Sequence, residues 1–146
     1  LSAFNTSVSG MTAQRQRVNT ISENIANAET TRTPQGGPYR RREVILASVA
    51  NDRTFEEELL SQDRSVSTST EVKVVGIVQD ERPPILRFEP GHPDANEEGY
   101  VEMPNVNIME EMVNLMSANR SYEANTAAFN ATKNMVQSAL DLGRNA

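Results

Sequence analysis

The chain has no cysteine and no tryptophan, a single histidine, and aromatic residues at only 5% of its 146 positions. The missing thiols exclude disulfides, thiolate catalysis and cysteine-based zinc sites. Few aromatics, with a hydrophobic share of 37%, leave little material for a large private core. Long apolar runs are missing too. None approaches the roughly 20 residues that span a bilayer, so direct membrane insertion is not expected. The first 30 residues lack a basic start followed by an apolar block, the pattern of a cleaved secretion signal, so any export is expected to use a route without signal cleavage. Excess positive charge is lacking as well. The net charge is −6, and residues 65 to 103 alone sum to −5, which argues against nucleic acid as a partner.

Groups arranged for chemistry are equally scarce. His92, with Asp94, Glu97 and Glu98, sketches only a weak metal site, and a solvated turn is the better reading. The run Glu56-Glu57-Glu58 and the pair Glu110-Glu111 supply carboxylates, but neighbours on one short segment do not face each other across a substrate as acid and base would. Gly36-Gly37 is not followed by a Lys and a Ser or Thr, so it reads as a turn and not a phosphate loop. No catalytic residue, cofactor or metal is expected, and an enzyme is not the reading.

What is present lies at the two ends. From Leu1 to Ala28, the residues Leu1, Phe4, Val8, Met11, Val18, Ile21 and Ile25 recur at steps of three and four, interrupted only by Arg15, which predicts a long helix with a coiled-coil seam. From Asn107 to Leu142, Ile108, Met112, Leu115, Asn119, Tyr122, Thr126, Phe129, Lys133, Val136 and Leu140 keep the same spacing. Asn107 can cap this second helix with Glu110 completing a capping box, and Leu142-Gly143 reads as its stop. The two helices would be about 40 and 50 Å long at 1.5 Å per residue. Met109, Val113, Met116 and Met135 form a second apolar face beside the main seam. One partner helix cannot cover both faces, so contacts with other subunits are expected. Residues 1 to 30 sum to zero charge, which suits packing of many like helices. Gly10, with Ala3 and Ser7, makes a small-residue strip open to close helix approach, or else a tolerated flaw costing about 1 kcal/mol relative to Ala. Asn19, Asn24, Asn27, Asn114, Asn119, Asn125, Asn130 and Asn134 weaken both helices as isolated elements and, where buried, can fix register.

The middle differs. Val44-Ile45-Leu46 and Val49 read as a strand entered through Arg40-Arg41-Arg42. Those arginines suit ion pairs with a neighbouring subunit, or a solvated edge. Residues 51 to 70 read as a polar loop insertion. Glu71 to Gln79 is the best strand, and Ile85 to Phe88 is expected to pair with it as a hairpin after Pro83-Pro84. Residues 89 to 99 read as a surface loop. The fold class is therefore α+β. Residues 1–30 and 105–146 would be long N- and C-terminal helices paired as a coiled-coil-like α-domain, and residues 31–104 an extended linker and small β-rich domain.

Ordered motifs then carry a resemblance. Ser7 to Arg15 and Asn24-Ile25-Ala26-Asn27-Ala28 with Thr30 to Thr33 resemble the amino-terminal signature of the flagellar basal-body rod protein family. Gly99-Tyr100-Val101, Met103 to Asn107, Glu111-Met112-Val113 and Arg120 to Asn125 resemble its carboxy-terminal signature. The short middle, with Gly37 to Arg41 and Glu89-Pro90-Gly91, is similar to its proximal-rod members. The resemblance implies a structural subunit of the flagellar drive shaft, located in the periplasmic rod and exported without a cleaved signal. It implies helical assembly and torque transmission, with copies of itself and other rod proteins as partners and the membrane ring and export gate at the rod base. The expected assembly interface is Phe4, Val8, Met11, Val18, Ile21, Ile25, Met112, Leu115, Met116, Tyr122, Phe129, Val136 and Leu140, with Arg40, Arg41 and Arg42 in inter-subunit ion pairs. A free-standing coiled-coil adaptor or secretion chaperone stands as the alternative.

Overall fold

The computed structural model describes residues 2–50 and 70–144. Helix α1 spans Ser2–Ala26, strands β1 to β4 span Arg42–Ala50, Thr70–Gln79, Ile85–Phe88 and Tyr100–Met103, and helix α2 spans Ile108–Arg144. The expected α+β arrangement is what forms: two long terminal helices and a small antiparallel β middle. Of the insertion expected over residues 51 to 70, residues 51 to 69 lie outside the described residues, and Thr70 is the first residue of β2.

The helices pack antiparallel. Near one end the rings of Phe4 and Phe129 meet edge to face with centroids 5.0 Å apart. At the other, Asn24 Nδ2 donates to Glu111 Oε2 at 3.0 Å. Helix α2 starts on the cap expected of it, because Asn107 Oδ1 accepts from the Met109 and Glu110 amides at 3.1 and 3.4 Å. It does not stop at Leu142-Gly143 but continues to Arg144. A glycine costs about 1 kcal/mol in a helix interior, too little to end α2 one residue before its last.

The return from α1 to the first strand is a closed loop. The Tyr39 amide donates to the Thr30 carbonyl at 3.0 Å, and the Gly36 amide donates to the Thr33 carbonyl at 2.9 Å. Gly36 and Gly37 take φ values of 86° and 74°, a left-handed conformation that glycine adopts without a Cβ penalty. The turn delivers Tyr39 back onto α1.

Strand pairing departs from the sequence reading in one respect. β2 pairs with β1, with a bulge opposite Ile45/Leu46, and β3 pairs with β4. The expected hairpin between the second and third strands does not form. β4 follows the expected 89–99 loop, in residues for which the sequence predicts no element; its Val101 and Met103 are buried, so this four-residue strand has a core side that β2 cannot offer β3. Gly99, with φ 82°, lets the chain turn into β4, since a Cβ there would lie 2.9 Å from the Phe88 ring. β2 is tied to α1 by hydroxyls: Thr6 Oγ1 donates to the Thr70 carbonyl at 3.0 Å, and the Val72 amide donates to Ser9 Oγ at 3.1 Å.

Candidate assembly interface

The helices use only part of the seam their large apolar residues mark, and the positions buried deepest are of another kind. On α1 the buried positions are Ser7, Gly10, Ala13, Thr20, Ile21 and Asn24, and on α2 they are Glu111 and Ala118. These are mostly small or polar side chains. A Cβ at Gly10 would sit 3.0 Å from the Asn125 side chain, so the small-residue reading of Gly10 is the one that holds. Ala3 is exposed and takes no part. Polar residues tolerate the seam by bonding back to their own helix: Ser121 Oγ donates to the Ser117 carbonyl, Asn125 Nδ2 to Ser121 and Thr126 Oγ1 to Tyr122, the pattern by which such groups are satisfied within a helix.

Of the expected interface residues, Ile21 is buried, and Phe4, Met11, Val18, Ile25, Leu115 and Phe129 are half-buried. Phe4, Phe129 and Met11 make contacts inside the chain; Thr126 Oγ1 lies 3.4 Å from Met11 Sδ. Val8, Met112, Met116, Tyr122, Val136 and Leu140 stay exposed, with Met116 at 59% and Leu140 at 66%. Met109, Val113 and Met135 are exposed beside them. Every residue of α2 from Lys133 to Arg144 is exposed, a stretch of about 18 Å at 1.5 Å per residue. Met135, Val136, Leu140 and Leu142 are the exposed large apolar side chains of that stretch.

The three arginines divide. Arg41 is not left for a neighbouring subunit: its side chain is 11% exposed and its Nε donates to Glu111 Oε1 at 2.6 Å. Burial pulls the guanidinium pKa down, but the bond and charge of Glu111 outweigh that and the net shift is upward. Arg42 lies 3.7 Å from Glu23 at the surface, and Arg40 is exposed.

Glu111 and Asn24 are both fully buried. Asn24 Nδ2 also donates to the Arg42 carbonyl at 2.8 Å, while Asn24 Oδ1 accepts from the Arg42 amide and the Tyr39 hydroxyl, each at 2.9 Å. The amide thus pairs with both backbone groups of Arg42 as a neighbouring strand would, capping the edge of β1. Burial raises the Tyr39 pKa above its ordinary 10.0. Sequence reasoning missed this cluster, although the Asn-rich helices and the adjacent Glu110-Glu111 pair carried its signal. His92 ties a turn, accepting from the Asp94 amide at 3.0 Å.

Paired terminal helices with a polar seam, large apolar side chains turned outward and a small β middle define a subunit made to be packed among others. Comparison with known proteins agrees. Residues 4–32 match the family described as Flagella basal body rod protein, and residues 97–142 match Flagellar basal body rod FlgEFG protein C-terminal. The chain is 43% identical over 143 residues to the flagellar basal-body rod protein FlgC of Borreliella burgdorferi, covering 95% of this chain and 94% of that protein. Identity to the Bacillus subtilis FlgC is 45%, with 97% of each chain covered. For Escherichia coli O6:H1 it is 38%, with 99% of this chain and 98% of the relative covered. The chain belongs to the FlgC family of flagellar basal-body rod proteins.

Proposed function

We propose that the chain is a structural subunit of the proximal rod, the flagellar drive shaft, and builds that rod helically through the outward faces of α1 and α2. The observation that carries this reading is the split of apolar residues. Small and polar side chains, with Ile21, Phe4 and Phe129, pair the helices within one chain, and Val8, Met109, Val113, Met116, Met135 and Leu140 are exposed. A subunit with two different outward faces repeats by rotation and rise, giving a tubular wall. Copies of the chain and other rod proteins would cover these faces, with the membrane ring and export gate at the base. Torque would pass through many parallel helix contacts. Residues 1–30 and 105–146 would form the inner wall, and 31–104 its outer part, in a periplasmic rod reached without signal cleavage.

Ordering the arms costs about 1–2 kcal/mol of backbone entropy per residue. A seam poor in large apolar side chains offsets little of that, so the arms gain much of their stability from neighbours. The test is incorporation. Met116→Glu and Leu140→Glu are expected to keep the circular dichroism of the parent chain, yet to be missing from isolated basal bodies and to abolish swimming. Normal incorporation of both would sink the reading. A parent chain forming a discrete dimer or tetramer in light scattering would favour the free-standing adaptor.

A further inference from the structure

The seam between α1 and α2 sets a physical problem. Ser7, Gly10, Ala13, Thr20 and Ala118 have few atoms with which to tell one axial alignment from another, and small-residue seams can slide. A slide by one heptad is about 10 Å and would leave a packed pair with its outward side chains at the wrong heights.

We propose that Asn24, Arg41 and Glu111 form a register clamp that fixes the axial alignment of the two helices and so sets which outward surface a neighbour meets. The three residues come from three separate segments: α1, the turn before β1 and the first turn of α2. The Glu111 carboxylate is satisfied by the other two. Glu111 takes one bond from Arg41 Nε at 2.6 Å and one from Asn24 Nδ2 at 3.0 Å, and Asn24 is held in place by the Arg42 backbone and the Tyr39 hydroxyl. Counting from the Asn24–Glu111 pair, a slide by seven residues in one direction sets Asn24 beside Ala118. In the other it carries Asn24 past the start of α2 at Ile108. Either slide strands the buried Glu111 carboxylate without its two donors and the Arg41 guanidinium without Glu111, a penalty the small residues do not impose. Buried polar groups used in this way specify register at some cost in stability. The clamp stands on the fold alone and holds whether or not the chain builds a rod.

The chain contains no cysteine, so engineered pairs report alignment cleanly. Met11→Cys/Thr126→Cys joins side chains now 3.4 Å apart. Met11→Cys/Asn119→Cys and Met11→Cys/Lys133→Cys report slides of one heptad. The pairs are oxidised in the full purified chain and in basal bodies isolated from cells expressing it. In the parent, the aligned disulfide is expected to exceed the slipped ones by about tenfold or more. In Arg41→Met/Glu111→Leu, which replaces the pair by apolar side chains and keeps the helix packed, the preference is expected to fall to about twofold with helix content unchanged. An undiminished preference in that variant overturns the proposal and assigns register to Phe4–Phe129 and Gly10–Asn125. Should the double variant lose helix content, Glu111→Gln gives the same reading, since it keeps the size of the side chain; an unchanged ratio there overturns the clamp equally. A parent with no preference in either preparation also overturns it, and leaves the rod reading to be judged by incorporation.

Discussion

The two ends of the helical pair are built differently. Where α1 ends and α2 begins, Asn24, Tyr39, Arg41 and Glu111 close on one another through hydrogen bonds, and Glu111 and Asn24 are fully buried. Where α1 begins, the half-buried Phe4 and Phe129 meet edge to face, and α2 continues past them with all of Lys133 to Arg144 exposed. One end is completed by the chain's own residues; the other offers surface. Stability within a fold is not uniform, and elements that await a partner come from its less stable part. What the chain finishes by itself is alignment, and what it leaves open is area.

The change expected to erase the contrast most strongly is Glu111→Ala. It leaves the Arg41 guanidinium, 11% exposed, with the more distant Glu43 at 3.5 Å and Asp80 at 4.0 Å. Breaking a buried pair by removing one partner costs about 3–5 kcal/mol. The lower end is expected here because those two carboxylates remain; urea titration of parent and variant measures it. Gly10→Val comes next. Its side chain would start 3.0 Å from the Asn125 amide, and overpacking of that kind costs about 1–3 kcal/mol. Thermal melts followed by circular dichroism test this, and a melting point equal to the parent's would show that the helices separate there without cost.

Much of this was legible in the residues. The length and place of both helices follow from apolar spacing, and the Asn107 cap marks the start of α2. The strands over residues 42–50 and 70–79 follow from β-branched clusters. The strand partners were not legible, because Pro83-Pro84 signals a turn but not which strand lies across it. The short strand Tyr100–Met103 has only four residues in which to declare a period. Which face of each helix meets the chain's own partner was not legible, for a physical reason. Large apolar side chains mark the surface a helix buries somewhere, and the sequence does not say whether a chain's own partner or a neighbour buries it. Here Phe4 and Phe129 go inward, whereas Met112, Tyr122 and Leu140 do not. The pairing of Arg41 with a residue 70 positions away is a product of tertiary closure that no local pattern announces.

Outward positions should separate stability from assembly. Leu140→Ser alters a side chain that is 66% exposed, and surface changes of this type stay within about 0.5 kcal/mol. The urea midpoint of the purified chain is therefore expected to match the parent's. Recovery of the variant in basal bodies is expected to fall. A clear loss of stability in the purified chain would show that Leu140 is covered by the chain itself, and the contrast between the two ends would collapse.

The smallest effect concerns the rim of the finished end. Asp80 lies 4.0 Å from Arg41 and is bonded by Arg82, whose side-chain and backbone hydrogen bonds lower its pKa from 3.8 to about 2. A carboxyl with a depressed folded-state pKa contributes stability that is fully present above its unfolded value, here near 3.8, and is lost as the pH falls through about 2. The parent should therefore lose more stability than Asp80→Asn between about pH 4 and pH 2, while other carboxylates titrate alike in both. Asn keeps an oxygen for the Arg82 amide and removes only the charge, so the difference reports ionisation and not shape. Arg82→Ala should shrink the acid slope in the same window, since it removes the guanidinium that does most to hold Asp80 down and leaves the backbone amide. Parallel pH profiles for parent and both variants would mean that the rim adds nothing to the clamp, and that Asn24, Arg41 and Glu111 hold the junction unaided.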